Sequence, residues 1–226
     1  MSTLLTRIQA SYTNRARALA DVAVRRLGQS RITPTAFTSA GVLLSIAGAV
    51  IVYFEYVHWG LFLVGSFVFF LGALLDILDG ALARTHGLST PFGAFFDSTV
   101  DRVGEGFMLG AIALVLMRKG NEWGVALAVA ALGGSFLVSY ARARAEHLRL
   151  SGAVGLVGRT ERVAIICLGL AFAPLGSLPW VMVVLTATAW ITVAQRVLAV
   201  RRQLEAADEH AQPEPPQPPE SRNPTP

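Results

Sequence analysis

The sequence predicts an all-α, polytopic integral membrane protein with six transmembrane helices, preceded by an amphipathic helix that lies on the membrane surface. Three observations lead to this class. The 226-residue chain is 53% hydrophobic and only 15% charged, and its mean hydropathy of +0.52 excludes an ordinary soluble domain. Its apolar residues fall into segments near the length of about 20 residues that a helix needs to cross a bilayer. The links between these segments are short and polar or aromatic.

Residues 1–31 form the predicted surface helix. Six arginines alternate there with apolar residues, and no uninterrupted apolar run of the kind found in a signal peptide is present. Arginine pairs with anionic lipid headgroups while an apolar stripe enters the membrane interface, so we expect this helix to lie on the cytoplasmic leaflet. The alternative is a solvated basic helix that does not touch the membrane.

The predicted spans follow in order, with the fifth the shortest, over residues 36–57, 60–84, 93–117, 124–146, 161–175 and 178–200. The links on one side of the membrane carry Tyr56, Trp59 and Trp123, and only two of the basic residues lie on that side. The other seventeen basic residues lie on the opposite side. Because basic residues concentrate on the cytoplasmic side, both termini are predicted to be cytoplasmic and the protein to reside in the cell membrane.

Three domains result from this division of the chain. The surface helix covers residues 1–31, the six-helix membrane domain covers residues 32–202, and a tail covers residues 203–226. The tail is rich in Glu, Gln and Pro and cannot bury a core, so it is predicted to be disordered. Only one of the basic residues is a lysine, and no basic tract is interleaved with aromatic residues, so no nucleic-acid partner is expected.

Four aspartates interrupt the second and third spans. Asp76 and Asp79 lie three residues apart, and Asp97 and Asp101 lie four apart, so each pair shares one face of its helix. A short turn between the spans makes the two pairs face each other at matched depth. Four converging carboxylates repel one another unless cations lie among them, and Mg²⁺ takes oxygen ligands of this kind. The pattern predicts a site for two divalent cations on the cytoplasmic side; the alternative is the carboxylate lining of a cation transporter.

The residues around the aspartates suit transfer of a substituted phosphoryl group. Such a reaction needs cations to neutralise the charge of a pyrophosphate, a base to take the acceptor's proton, and close approach of the backbone to the phosphates. Gly80 has no side chain to fill the space beside the aspartates, and Gly93 leaves similar space on the facing helix. Arg84, one helical turn after Gly80, offers a guanidinium with two parallel donors. The alternative role of both glycines is helix packing.

The spacing of these residues resembles the full signature of the CDP-alcohol phosphotransferase family, also called the CDP-alcohol phosphatidyltransferase family. The matching residues are Asp76, Asp79, Gly80, Ala83, Arg84, Gly93, Asp97 and Asp101. A looser resemblance extends from about Thr33 to Arg196. It implies attack by an acceptor hydroxyl on the β-phosphorus of a CDP-linked lipid, with release of CMP. It also implies a homodimer, and Gly106 and Gly110 are spaced for close helix contact.

The resemblance further implies roles for individual residues. Asp76 and Asp97 would bridge two divalent cations, Mg²⁺ with Mn²⁺ as the alternative, and Asp79 would complete the first. Asp101 would ligate the second cation and act as the catalytic general base. The residues predicted to contact the CDP-lipid are Thr33, Pro34, Thr35, Ala36, Gly80, Arg84, Thr90 and Gly93.

A second polar cluster stands at the cytoplasmic ends of the fourth to sixth spans. Its segments S-Y-A-R-A-R-A-E, G-R-T-E-R and A-Q-R-V resemble those of prokaryotic phosphatidylinositol-phosphate synthases, whose acceptor is inositol 1-phosphate. The predicted acceptor contacts are Ser139, Arg142, Arg159, Arg162 and Arg196. Arg142 stands where those relatives often carry lysine, which leaves the acceptor open. The alternative is that these arginines are topological anchors, paired with Glu146 and Glu161.

The expected function is therefore transfer of the phosphatidyl group of CDP-diacylglycerol, or of an ether-lipid analogue, to inositol 1-phosphate. Within the same class, the alternative is a phosphatidylglycerophosphate synthase that uses glycerol 3-phosphate. From another class, the alternative is an intramembrane cation transporter. A transporter needs access from both sides of the membrane, whereas the aspartates, arginines and polar links here lie on one side.

Overall fold

The computed structural model describes the backbone of residues 34–85 and 90–211, and the side chains of residues 36–78 and 90–207. The regular secondary structure of this part of the chain is all helical, with no strand among the described residues. Its elements are α1 (Pro34–Tyr53), α2 (Leu61–Thr85), α3 (Pro91–Arg118), α4 (Glu122–His147), α5 (Arg159–Ala171), a 3₁₀ turn (Ala173–Leu175) and α6 (Leu178–Ala211). The predicted surface helix at residues 1–31 lies outside the described residues.

Four of these helices are long and apolar enough to cross a membrane, namely α1, α2, α4 and α6. No more than a third of each apolar window is buried inside the protein, and large side chains such as Phe67 and Trp180 point outward. An apolar exterior of this kind indicates a membrane protein. The helix α3 is long but carries charged residues in its first half, and α5 has only 13 residues. Length and composition therefore support four spans in the described part of the chain.

Glycines allow α1 to pack against both helices that carry the aspartates. A Cβ atom added at Gly48 would lie 2.8 Å from the carbonyl oxygen of Gly65, and one added at Gly72 would lie 2.6 Å from that of Gly41. On α3, a Cβ added at Gly104 would lie 2.8 Å from the Cβ of Ser45. Small residues permit such close backbone approach between membrane helices. The helix α1 thus joins α2 to α3 beside the aspartates.

Close helix contacts are predicted at Gly106 and Gly110, but among the described residues such contacts occur at other glycines. A Cβ added at Gly106 would make only ordinary contact with the Phe136 ring, at 3.6 Å, and one added at Gly110 would meet no described atom within 4 Å. Both glycines line an apolar groove of about 710 Å³ between α1, α3 and α4. Their spacing therefore marks an open face within this chain rather than a tight internal contact.

The apolar core lies in the half of the bundle away from the aspartates. Met108, Ile112 and Val115 of α3 are fully or almost fully buried there, against Ile166 of α5 and Met182 of α6. Burying a large apolar side chain contributes about 1.5–3 kcal/mol in water, and in a membrane close packing supplies the attraction between helices. This packing fixes the second half of α3, so that its charged first half extends toward the site.

Two helix ends differ from their predicted positions. The fifth predicted span, residues 161–175, ends as an α-helix at Ala171, because Pro174 cannot supply the backbone N–H that an α-helix needs. The sixth helix continues to Ala211, so the disorder predicted for residues 203–226 is wrong for residues 203–211. Residues with high helix propensity follow Gln203, whose side chain accepts from Ser151 N at 2.9 Å and donates to Ser151 O at 3.1 Å. Residues 212–226 lie outside the described residues.

The loop 148–158 is anchored to α6 and sets the start of α5. Leu156 N donates to the Gln195 side chain at 3.0 Å, and Arg196 Nε donates to Val154 O at 2.8 Å. Between them, Gly155 has a φ of +148° and packs against Thr192 so closely that a side chain there would collide. The anchored loop therefore fixes where the first arginines of α5 lie.

Candidate active site

Three of the predicted metal ligands converge in the structure. Asp76 of α2 meets Asp97 and Asp101 of α3, and one carboxylate oxygen from each lies within 4.8 Å of the others. All three side chains are partly buried. Small residues surround Asp76 and Asp101, including Gly41 and Gly72, so the helices can approach closely here. The convergence predicted from the aspartate spacing is confirmed for these three residues, whereas the side chain of Asp79 lies outside the described residues.

The side chain of Arg159, at the start of α5, lies between two of these carboxylates. Its Nη1 pairs with Asp76 Oδ2, and its Nη2 lies 2.7 Å from Asp101 Oδ1. Its Nε is buried and has no hydrogen-bond partner among the described residues. Arg159 therefore compensates the negative charge of the aspartates and still holds a donor that it does not use there.

A polar cavity of about 560 Å³ adjoins the aspartates. Its walls come from α3, α4, α5 and α6, and Asp97 and Asp101 form part of its lining. All five predicted acceptor residues line this cavity, namely Ser139, Arg142, Arg159, Arg162 and Arg196. The structure therefore brings the two clusters, whose members lie 38 to 120 residues apart in the sequence, into one continuous site.

Arg162 forms a buried ion pair that the sequence analysis did not predict. Its Nε lies 2.7 Å from Glu105 Oε1 and its Nη2 lies 2.9 Å from Glu105 Oε2. Glu105 follows Asp101 by four residues, so the signal was present in the sequence: it continues the face that Asp97 and Asp101 share. Glu105 also lines the cavity.

The other two arginines of the cavity differ in how they are held. Arg196 is buried and donates to two backbone carbonyls, those of Val138 and Val154. The Arg142 side chain is 56% exposed, and its Nε lies 2.8 Å from Glu146 Oε1, so the alternative pairing with Glu146 is present. Arg142 is thus the more accessible cation, whereas Arg196 ties the loop 148–158 to α4 and α6.

Arg102 is a further cation of the site that the sequence analysis missed. It lines the polar cavity and also the apolar groove between α1, α3 and α4. It follows Asp101 directly in the sequence, and a helical position next to a ligand gives no periodic signal of its own. Only the positions of α1 and α4 reveal that this residue borders both spaces.

The predicted CDP-lipid contacts are described in part. Thr90 is the N-cap of α3, and its Oγ1 accepts from Gly93 N at 2.9 Å. A Cβ added at Gly93 would lie 3.0 Å from that oxygen, so both residues shape the start of α3. Ala36 is exposed near the start of α1. Thr33, the side chains of Pro34, Thr35 and Arg84, and the surroundings of Gly80 lie outside the described residues.

The aspartate cluster fits a divalent cation. Its donors are carboxylate oxygens alone, a set that suits Mg²⁺ or Mn²⁺ better than softer metals. Asp76 and Asp101 already pair with a guanidinium, which shows that the cluster needs positive charge among its oxygens. The described residues can therefore hold a cation where the three carboxylates meet.

Comparison with known proteins identifies the family. The CDP-alcohol phosphatidyltransferase family profile matches residues 31–195. A phosphatidylinositol phosphate synthase of Streptomyces avermitilis is 38% identical over 194 residues, which cover 81% of this chain and 77% of that protein. An archaetidylinositol phosphate synthase of Pyrococcus horikoshii is 36% identical over 183 residues, which cover 80% of this chain and 90% of that protein.

Solved structures show the same relationship. The phosphatidylinositol phosphate synthase of Mycobacterium tuberculosis with CDP-DAG bound superposes with a TM-score of 0.72 at 29% identity, over 81% of this chain and 94% of that one. The same enzyme in complex with manganese and citrate gives a TM-score of 0.70 at 30% identity, over 80% and 88% of the two chains. From the extent of these matches, this chain belongs to the CDP-alcohol phosphatidyltransferase family.

Proposed function

We propose that this chain transfers the phosphatidyl group of CDP-diacylglycerol, or of an ether-lipid analogue, to inositol 1-phosphate and releases CMP. One observation carries the proposal: a single cavity joins Asp97 and Asp101 to the arginine cluster. Its volume of about 560 Å³ lies within the range of about 300–1,000 Å³ that is typical of small-molecule sites. The names of the relatives support the same reaction, and the Pyrococcus relative supports the ether-lipid alternative.

In this proposal Asp76, Asp79, Asp97 and Asp101 hold two divalent cations, Mg²⁺ or Mn²⁺, with Asp76 and Asp97 shared between them. Cations bound there would neutralise the pyrophosphate of the CDP-lipid and stabilise the charge that develops at the transferred phosphorus. The manganese in the mycobacterial relative and the cluster of three carboxylates support this assignment.

Asp101 is the proposed general base, because it belongs to the aspartate cluster and also lines the acceptor cavity. It takes the proton of the acceptor hydroxyl while the oxygen of that hydroxyl bonds to the β-phosphorus and the bond from phosphorus to CMP breaks. The acceptor phosphate is proposed to lie among Ser139, Arg142, Arg159, Arg162 and Arg196, which line the same cavity. Arginine is suited to this contact because its planar fork matches phosphate oxygens.

The CDP moiety is proposed to lie at the start of α1 and between the facing ends of α2 and α3. The residues assigned to it are Thr33, Pro34, Thr35, Ala36, Gly80, Arg84, Thr90 and Gly93. The N-cap of α3 at Thr90 supports this placement, because α3 also carries two of the aspartates and the N-terminus of a helix favours bound phosphate.

We further propose that α3 and α5 complete a six-span domain over residues 32–202, with residues 1–31 as an interfacial helix and a Pro-rich tail after Ala211. The site and both termini are assigned to the cytoplasmic side of the plasma membrane. The end of the bundle opposite the site supports this orientation: Arg118 lies over the rings of Tyr53 and Tyr56, as expected of an aromatic interface with few basic residues. A homodimer is also proposed, and the apolar groove lined by Gly106 and Gly110 supports it.

An acceptor panel tests the proposed reaction. Purified, detergent-solubilised protein with Mg²⁺ and CDP-diacylglycerol is given inositol 1-phosphate, inositol, glycerol 3-phosphate or serine, and CMP release is measured. We expect inositol 1-phosphate to give the highest kcat/KM, and chelation of the metal to stop the reaction. A preference for glycerol 3-phosphate would instead identify a phosphatidylglycerophosphate synthase. Absence of CMP release with every acceptor, together with cation flux into liposomes, would identify a transporter.

A further inference from the structure

Among the described residues, the ion pair between Glu105 and Arg162 is the most deeply buried charged contact of the site. The side chain of Glu105 is 4% exposed and that of Arg162 is 3% exposed. Both residues line the acceptor cavity, and Glu105 stands one helical turn after Asp101 on α3. Two parallel hydrogen bonds, of 2.7 and 2.9 Å, hold the guanidinium plane in one orientation.

Stability alone does not explain this pair. Taking two charges out of water costs about as much as their attraction returns, so a buried ion pair is weak evidence for a stabilising role. The helix α5 is already held by apolar side chains, since Val163, Ile166 and Leu170 are all buried in the bundle. The pair is better explained by what it orients.

The pairing determines which donor of Arg162 remains for a ligand. Glu105 accepts from Nε and from one N–H of Nη2, so both N–H groups of Nη1 and the second N–H of Nη2 are the donors of Arg162 that the pair does not use. The cavity on which Arg162 borders also contains Arg142, Arg196 and Ser139, which are the side chains assigned to the acceptor phosphate. An arginine with one fixed edge loses less side-chain freedom when it binds a ligand than an unpaired arginine does.

We propose that Glu105 is a positioning residue for the acceptor: it orients Arg162 so that the Nη1 group donates to the acceptor phosphate. This inference rests on the proposed function, because it assumes that the cavity receives a phosphorylated acceptor. Glu105 itself contacts neither the substrates nor the reacting atoms in this scheme.

Kinetics of three variants test the inference. Glu105→Gln keeps the shape of the side chain but removes its charge, and the double variant Glu105→Met/Arg162→Met replaces the pair with apolar side chains of similar volume. Glu205→Gln is the matched control, because it also removes the charge of a carboxylate that pairs with an arginine. Glu205 Oε1 lies 2.6 Å from Arg201 Nε, and both side chains are exposed on α6 outside the cavity. The KM for inositol 1-phosphate, the KM for CDP-diacylglycerol and the thermal unfolding temperature are measured for each.

We expect Glu105→Gln to raise the KM for inositol 1-phosphate about tenfold, the effect of losing one charge-assisted contact. The KM for the CDP-lipid stays within twofold of wild type. The double variant shows the same loss of acceptor affinity while its unfolding temperature equals or exceeds that of wild type. Protection against thermal unfolding by inositol 1-phosphate, measured without the CDP-lipid, falls in both variants and is unchanged in Glu205→Gln.

A purely structural pair gives the opposite pattern and overturns the inference. In that case Glu105→Gln lowers the unfolding temperature with an unchanged acceptor KM, or the folded double variant binds inositol 1-phosphate as wild type does. If Glu105→Gln fails to fold, Glu105→Asp, which keeps the charge but withdraws the carboxylate from Arg162, is measured in the same way and decides the question. Glycerol 3-phosphate, assayed in parallel, separates this inference from the acceptor assignment. If wild type prefers it, the inositol assignment falls, and the role of Glu105 stands or falls with its effect on the KM for that phosphate ester.

Discussion

The substitution Arg142→Ala tests whether the arginine cluster binds the acceptor or only sets the membrane topology. Arg142 is the most exposed arginine assigned to the acceptor, and its ion pair with Glu146 lies on the surface of α4. An exposed pair at this spacing contributes only about 0.3–0.5 kcal/mol, so the substitution should leave the fold and its stability nearly unchanged. A change in kinetics can then be assigned to binding.

The expected magnitude follows from the exposure of Arg142. Charge-assisted hydrogen bonds contribute about 1.5–3 kcal/mol, and solvent around this half-exposed side chain favours the lower end of that range. A loss of about 1.5 kcal/mol corresponds to roughly a tenfold rise in the KM for inositol 1-phosphate. The KM for CDP-diacylglycerol should change little, because Arg142 is not among the residues assigned to the CDP moiety.

Initial rates of CMP release over a range of inositol 1-phosphate concentrations measure the effect. Arg144→Ala is the control, since Arg144 is exposed on the same helix two residues later and does not line the cavity. A topological anchor predicts lower expression with normal acceptor kinetics, and it predicts the same outcome for both variants. An unchanged acceptor KM in Arg142→Ala, or an equal rise in Arg144→Ala, would refute the assignment of Arg142 to the acceptor.

Further outcomes are expected for other residues of the site. Asp97→Asn should abolish CMP release at saturating Mg²⁺ while the protein remains folded in detergent; near-normal turnover would exclude the shared-ligand role. Asp101→Asn should chiefly lower kcat and Arg84→Ala chiefly raise the KM for the CDP-lipid, so an unchanged KM in the latter reassigns Arg84 to topology. Arg159→Gln should tighten Mn²⁺ binding by roughly tenfold, because it removes the guanidinium that competes with the cation for two of the carboxylates. Electron paramagnetic resonance without substrates measures the Mn²⁺ affinity. An unchanged affinity would contradict the idea that Arg159 and the cation compete for these carboxylates. Arg196→Ala should lower the free energy of unfolding by about 2 kcal/mol or more, because two backbone carbonyls lose the hydrogen bonds that the guanidinium donates. An unaltered unfolding curve would show that these hydrogen bonds are dispensable.

The lengths of the apolar segments were sufficient to predict the helices, and helical periodicity was sufficient to predict the faces on which the aspartates lie. The spacing of Asp76, Asp97 and Asp101 placed each carboxylate on a defined side of its helix, and the short link between α2 and α3 brought those sides together. The segment resemblance likewise identified every side chain assigned to the acceptor, and all of these residues line one cavity. The aspartate prediction needed only the 3.6-residue repeat and the length of a connecting turn, whereas the acceptor prediction needed the resemblance to known proteins.

The partners of the charged side chains depended on contacts that no periodic pattern contains. Arg159 reaches Asp76 across 83 residues of sequence, and Arg162 reaches Glu105 across 57. The periodicity of a helix defines which residues share a face, but it leaves open which neighbouring helix that face meets. Close glycine packing holds α1 against α2 and α3, and the anchored loop 148–158 sets the start of α5. These two features direct the arginines of α5 to the carboxylates of α2 and α3, because side-chain pairing follows the relative placement of whole helices.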